Sequence, residues 1–297
     1  MLLALVLAAC TPTHHGAVAG ARSPAPTDFE ALIDVPGPIR LETVASADWE
    51  VDLSGVLDLS DPKAVAAGLT DRKEPIQIFF HAIEHPTRGL HIVDTGVEVA
   101  LRDAPEDAAI RGMVASAMHA EKMVFHAPLG EWLAGRPLSG VLLTHLHLDH
   151  VSGMGDVREG TPVWTGPGEI HERSLMNLFV RGSTDRALDG VGDLQEWTFD
   201  ADPSGRFAGV VDVFGDGSLW ALSTPGHTTG STAYLARTVD GPVLLTGDSC
   251  HTRWGWDNDV APGSFTGDAA GNADSLARLR KLAADHPAIS VRLGHQR

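Results

Sequence analysis

The chain has 297 residues, 43% hydrophobic and 21% charged, which is enough to bury a core and excludes a disordered, collagen-like or coiled-coil chain. Acidic residues outnumber basic ones by 39 to 22, and the resulting net charge of −17 repels a phosphate backbone and argues against nucleic acid as a partner. With only Cys10 and Cys250, no disulfide framework or thiolate cluster can form, so any metal must be held by carboxylates and by some of the 15 histidines.

The first ten residues differ from the rest. Leu2 to Ala9 is apolar but too short to span a bilayer. The run Leu7-Ala8-Ala9-Cys10 resembles the lipobox of a bacterial lipoprotein signal, although no positive charge follows Met1. That resemblance implies cleavage before Cys10, acylation of the cysteine and a membrane-anchored protein outside the cytoplasm. Thr11 to Thr27 is rich in Pro, Ala, Gly and Thr and reads as a flexible tether. Residues 1–27 are therefore expected to form signal and tether, and residues 28–297 a single domain.

Short β-rich apolar runs bounded by Gly, Pro, Asp or Thr then predict strands at Ile76–Phe80, Leu90–Val93, Val141–Leu143, Leu219–Leu222, Val243–Leu245 and Ile289–Leu293. His81 to Gly89 joins the first two as a loop over a site or as an ordinary hairpin connection. Helices are predicted at Pro105–Met123, Glu169–Val180 and Asp274–Asp285, the last with Leu276, Leu279 and Leu282 on one face and Pro287 beyond its end. Gly182 to Gly192 reads as a mobile lid or an exposed loop. Val239-Asp240-Gly241-Pro242 is a hairpin turn between Thr232–Ala236 and Val243–Thr246. Interleaved strands and helices indicate a layered α/β or α+β domain.

Directly after the strand at Val141 comes Thr144-His145-Leu146-His147-Leu148-Asp149-His150, with four metal-competent side chains in six residues. His227, Asp248 and His295 each follow a later strand, in Thr224-Pro225-Gly226-His227, Thr246-Gly247-Asp248 and Leu293-Gly294-His295. Ligands at strand ends can converge on one rim of a sheet, and the adjacent glycines permit tight turns.

The order His-x-His-x-Asp-His, then His, Asp and His, resembles the metallo-β-lactamase superfamily from about Ile76 to the end of the chain. The resemblance implies a four-layer αββα sandwich of the α+β class with its site at one edge of the two sheets. It further implies that His145, His147 and His227 hold one metal, that Asp149, His150 and His295 hold a second, and that Asp248 bridges them. Asp94, in Ile92-Val93-Asp94-Thr95-Gly96, would support the ligand loop from behind. Two divalent ions, zinc first with iron, manganese or cobalt as alternatives, would leave surplus positive charge over Asp149 and Asp248. Such a centre makes a nucleophile from water and polarises a carbonyl, so the implied reaction is hydrolysis, with Asp149 also orienting the nucleophile.

The aspartate at 248 is absent from true metallo-β-lactamases, which moves the expectation away from antibiotics. The run from Thr246 to Gln296 is similar to the branch that opens acyl-homoserine lactones, and a small neutral lactone or carboxylic ester is the expected substrate. A β-lactam or thioester is the alternative. A mononuclear iron dioxygenase, or a lipoprotein that binds metal without turnover, is the alternative from another class. That lactonase branch carries a tyrosine three residues after the bridging aspartate, and here the position is His251, an imidazole able to act as general acid. Trp254 and Trp256 are either walls of an acyl pocket or ordinary core, His119 and His171 are non-ligands on helices, and Cys250 is a buried filler.

Overall fold

Alternate residues of the strands face two different cores, and this period-two division produces the layers. The computed structural model describes residues 11–20 and 29–297, so the expected lipidation signal ending at Cys10 lies outside the described residues. The first sheet comprises β1 (Ala17–Ala19), β2 (Arg40–Asp52), β3 (Lys73–His85), β4 (Gly89–Val93), β5 (Val124–Phe125), β6 (Gly140–Leu142), β7 (Val163–Thr165) and β8 (Leu194–Glu196), in the order β1-β8-β7-β6-β4-β3-β2-β5. The second comprises β9 (Val210–Asp212), β10 (Leu219–Ser223), β11 (Thr232–Thr238), β12 (Gly241–Leu245) and β13 (Ser290–Arg292), in the order β13-β12-β11-β10-β9.

Val93, Leu142, Leu219, Ala221, Tyr234 and Leu245 fill the space between the sheets. Their neighbours point outward. Ile92, Val141 and Leu143 pack under the helices of the first outer layer, with Leu101, Leu129 and Val151. Trp220, Leu222 and Leu235 pack under the other, against Leu279 and Leu282 of the helix Ala269–Asp285. The result is the expected α+β sandwich of four layers.

Strand direction places the site. β4 and β6 are parallel, as are β12 and β13, and β10 runs the same way as β12 because both are antiparallel to β11. The C-terminal ends of β4, β6, β10, β12 and β13 lead directly into Asp94, His145, His227, Asp248 and His295. Tyr234, the chain's single tyrosine, ties the two sheets just behind these loops: its hydroxyl donates to the Leu143 carbonyl at 3.0 Å and accepts from Trp197 Nε1 at 3.1 Å.

Several elements differ from expectation for identifiable reasons. β3 is 13 residues long and takes in His81 to His85, so the connection to β4 is a short hairpin at the end of the strands away from β4's exit toward Asp94. Only Gly112–Ala117 and a short 3-10 turn at Ala120–Lys122 form within the expected helix Pro105–Met123, because Gly112 and His119 both take positive φ. The expected helix Glu169–Val180 is split: Glu169–His171 is a 3-10 turn, and Ser174 caps a new helix, Leu175–Ala187. That helix absorbs the start of the expected lid or loop at Gly182–Gly192, and Leu188 behind it is fully buried. Within the expected tether, Thr13 is buried and Ala17–Ala19 pairs in parallel with Leu194–Glu196, so this part of it is packed.

Replacing Tyr234 by Phe should leave the buried indole N–H and the Leu143 carbonyl unpaired and cost about 1–3 kcal/mol. Urea unfolding measures this, and a midpoint unchanged from wild type would show that the hydroxyl does not join the sheets.

Candidate metal centre

Asp248 is 5% exposed, and its Oδ2 lies 3.0 Å from His251 Nε2, 3.3 Å from the Nε2 atoms of both His150 and His295, 3.4 Å from His227 Nε2 and 3.7 Å from His145 Nε2. Two overlapping groups result, each with all its ligand atoms within 4.8 Å of one another: His145, His147, His227 and Asp248, and Asp149, His150, Asp248 and His295. All seven side chains singled out as ligands are thus brought together, with Asp248 common to both groups.

The backbone makes this approach possible at two glycines. A Cβ on Gly226, whose φ is +140°, would lie 2.1 Å from the Asn272 nitrogen. One on Gly294 would lie 2.2 Å from Asp248 Oδ1. Any side chain at either position would push a ligand loop away from the centre.

The ring nitrogens that point away from the centre have partners that orient the rings. His150 Nδ1 lies 2.9 Å from Asp94 Oδ2, and His295 Nδ1 lies 2.9 Å from the Gln77 carbonyl, leaving each Nε2 directed inward. Asp94 also accepts from the Thr144 N–H at 2.8 Å, which pins the ligand loop as well as the ring. It does so with φ +56°, a strained conformation for a non-glycine residue.

The donor set fits divalent cations. His145 Nε2, His150 Nε2 and Asp248 Oδ1 are buried and have no hydrogen-bond partner, a costly state for polar atoms unless an ion takes up their lone pairs. Burial, reinforced by the neighbouring imidazoles His150, His147 and His227, holds His145 well below its usual pKa and therefore neutral, the form that coordinates. Against burial, Asp248, Asp94 and Asp149 push His150 well above its ordinary value, and Asp248 with Asp149 pushes His295 up to about 10. The two carboxylates thus demand positive charge in the space between the rings, and a cation meets that demand as well as protons do.

Nothing in the sequence pointed to Glu169, yet it holds two ligand loops together. Fully buried, it accepts from the Leu146 N–H at 2.9 Å, between His145 and His147, and from Thr228 Oγ1 at 2.8 Å and the Gly230 N–H at 2.9 Å, beside His227. Its partners are mostly backbone groups distant in sequence, which no motif records. Other expectations resolve plainly. His119 and His171 are exposed and away from the centre. Cys250 is buried, with its thiol pushed up to about 12 by burial, and is a filler. Trp254 and Trp256 pack into core clusters, and the tryptophan that walls the cleft is Trp49.

That cleft, of about 300 Å³, has His147, Asp149, His227, Asp248, His251 and His295 at one end and Trp49, Val51, Ile76, Met118, Val180 and Phe265 along its sides. His251 is 1% exposed, stacks on His295 with ring planes 8° apart, and keeps a buried Nδ1 without a partner.

Comparison with known proteins follows the geometry. A family profile described as the metallo-beta-lactamase superfamily matches residues 77–295. The N-acyl homoserine lactonase AttM of Agrobacterium fabrum is 32% identical over 157 residues, 52% of this chain, and the match spans 57% of that relative's length. The enzyme of the same name from Azorhizobium caulinodans is 28% identical over 225 residues, covering 74% of this chain and 82% of its own. A solved structure of a B. thuringiensis AiiA mutant with N-decanoyl-L-homoserine bound at its active site superposes with a TM-score of 0.60 at 19% identity, covering 86% of this chain and 92% of that one. AidC, a dizinc quorum-quenching lactonase, gives 0.54 at 14% identity and covers 88% of each chain. These likenesses in structure establish a shared fold.

Removing the Asp94 carboxylate (Asp94→Ala) should free the His150 ring and the Thr144 turn together and weaken metal binding by about 10- to 100-fold. Competition with a chromophoric chelator reads this directly, and an unchanged affinity would remove Asp94 from the support of the centre.

Proposed function

The chain belongs to the metallo-beta-lactamase superfamily, and from that premise we propose that it is a dinuclear metal-dependent hydrolase that opens neutral lactones carrying an apolar chain. The observation that carries this reading is Asp248, one buried carboxylate common to two complete ligand groups. The names of the AttM relatives and the N-decanoyl-L-homoserine bound in the AiiA structure support a lactone over other carbonyl substrates. The apolar sides of the cleft support a substrate with a hydrocarbon chain, and the surplus of 17 negative charges disfavours polyanions.

His145, His147, His227 and Asp248 would hold one ion and Asp149, His150, Asp248 and His295 the other, with zinc as the first candidate. When bound, such ions lower the pKa of water towards neutrality and act as Lewis acids towards a carbonyl oxygen. The chain's own residues then have separate tasks. Asp149, at the cleft with its Oδ2 3.2 Å from His295 Nε2, orients the attacking water and accepts its proton. Trp49, Met118 and Phe265 hold the acyl chain so that the ring carbonyl meets the centre. His251 lines the cleft with its Nε2 3.0 Å from Asp248 Oδ2, facing the centre, and is the imidazole assigned to protonate the leaving alkoxide. This is the role suggested by its position three residues after Asp248. The Leu7–Cys10 run supports a location outside the cytoplasm with Cys10 as lipid anchor.

Metal-loaded protein should carry about two ions per chain and turn over acyl lactones, with Asp248→Ala losing both the second ion and at least about 100-fold in kcat/KM. Turnover of a chromogenic cephalosporin but of no lactone or ester, or one iron per chain with oxygen uptake, would overturn the assignment. His251→Ala should lower kcat by roughly 10² to 10⁴ with little change in the number of ions bound. A kcat equal to that of wild type would remove His251 from proton transfer.

A further inference from the structure

The helix Leu175–Ala187 presents an apolar surface that neither the core nor the metal centre uses. Leu175 is 70% exposed, Met176 61%, Leu178 45% and Phe179 42%, all within the first two turns. Phe265, 48% exposed, and Met113, 80% exposed on the neighbouring helix Gly112–Ala117, extend the surface. This surface adjoins the cleft: a groove of about 550 Å³ bounded by Leu175, Phe179 and Val114 shares Trp49, Met118 and Phe265 with the cleft over the ligands.

Two further observations concern what covers it. The described part of the N-terminal segment runs along the same helix. Thr13 Oγ1 donates to Asp185 Oδ1 at 2.7 Å, the His14 N–H donates to the same oxygen at 2.8 Å, and Pro12 lines a small cavity beside His147 and His227. Residues 1–10, which include the apolar run Leu2–Ala9 and Cys10, immediately precede this segment in the chain and lie outside the described residues. The charge along this helix is also opposite in sign to that of the whole protein, while the adjoining groove is lined by Glu50 and Asp52 as well as Lys73. Residues 173–184 include Arg173 and Arg181 and no Asp or Glu, in a chain of net charge −17.

We propose that this face is a membrane-docking surface: Leu175, Leu178, Phe179, Met113 and Phe265 seat in the headgroup region of a lipid bilayer, Arg173 and Arg181 meet lipid phosphates, and the mouth of the cleft opens at the membrane surface. An amphipathic helix with aromatic and aliphatic residues on one side and arginines at its margins suits such an interface. A second copy of the chain fits less well, since a two-fold contact through this face would bring the same arginines together. An apolar-chain substrate dissolved in the bilayer would then reach the cleft without crossing water. The docking stands on the surface itself and does not require lactone hydrolysis.

The test uses the full chain carrying Cys10→Ala, so that no acyl anchor contributes, and flotation with phosphatidylcholine vesicles with and without phosphatidylglycerol. The parent should float, more strongly with phosphatidylglycerol. Leu175→Glu/Phe179→Glu in the same background should reduce the bound fraction about tenfold or more, with metal content and circular dichroism unchanged to show that the fold is intact. Arg173→Glu should abolish the preference for phosphatidylglycerol. A parent that does not float, or a double variant that floats equally well, overturns the proposal. So does a parent that sediments as a dimer and is converted to monomer by the double variant with no change in flotation. Flotation requires no turnover, so failure to hydrolyse lactones would leave this result standing and would count against the preceding reading alone.

Discussion

One buried carboxylate organises the molecule. Asp248 Oδ2 has five imidazole nitrogens between 3.0 and 3.7 Å away, and its side chain is almost wholly buried. A carboxylate taken out of water costs several kcal/mol unless positive charge accompanies it. The imidazoles that surround it can supply that charge only by taking up protons or by sharing a cation. Divalent ions satisfy the carboxylate and the inward nitrogens together, whereas protons cannot satisfy His145 Nε2, which has no partner. The fold's task is therefore to bring the ends of five strands, β4, β6, β10, β12 and β13, close enough to one atom for this to happen.

Achieving that convergence places demands well behind the ligands. Strand ends can meet only if the two sheets are held in register, and Tyr234 does this at the point where β6 becomes the ligand loop. Rings can point inward only if their outer nitrogens have partners, which Asp94 and the Gln77 carbonyl provide. Loops can approach only where no Cβ intervenes, hence glycine at 226 and 294. Glu169 closes the system by bonding the loop of His145 and His147 to that of His227. A buried glutamate is a costly way to join two loops, and burial pushes its pKa up to about 7 even with three donors aimed at it. Those donors include backbone N–H groups that would otherwise be unpaired in the interior, which offsets the cost.

How much of this could be read from the sequence depended on how local each requirement was. The ligand run from His145 to His150 is contiguous, and the others directly follow apolar strands, so chemistry and position were legible together. Asp94 was legible for the same reason. β2 was not, because its register shifts between Ala45 and Ala47 and the bulge breaks the alternation on which recognition of a strand relies. The stretch Pro105–Met123 has helical composition, but Ala108 to Ile110 are buried in turns, and the Ala109 N–H donates to Glu98 at 2.6 Å, so a tertiary contact outweighs propensity there. Glu169 was invisible because what it recognises is backbone, which has no signature in the chain.

The same distinction explains why the metal ligands can be named with less ambiguity than the substrate. Ligands must satisfy an ion's geometry, and few residue types at few spacings do so. The sides of the cleft need only be apolar and of suitable shape, and they come from elements with no part in ligation: Trp49 and Val51 from β2, Met118 from the turn after Gly112–Ala117, Val180 from the long exposed helix, and Phe265 from the loop before Ala269. These elements are remote in sequence from one another, and several are among those that local pattern did not reveal. Substrate choice in such a fold can thus change through its walls while the centre stays constant. Trp254 and Trp256 illustrate the point. They sit near Asp248 in sequence and looked like pocket residues, yet they pack into the core, whereas Trp49, almost 200 residues away in the chain, faces the cleft because β2 brings it there.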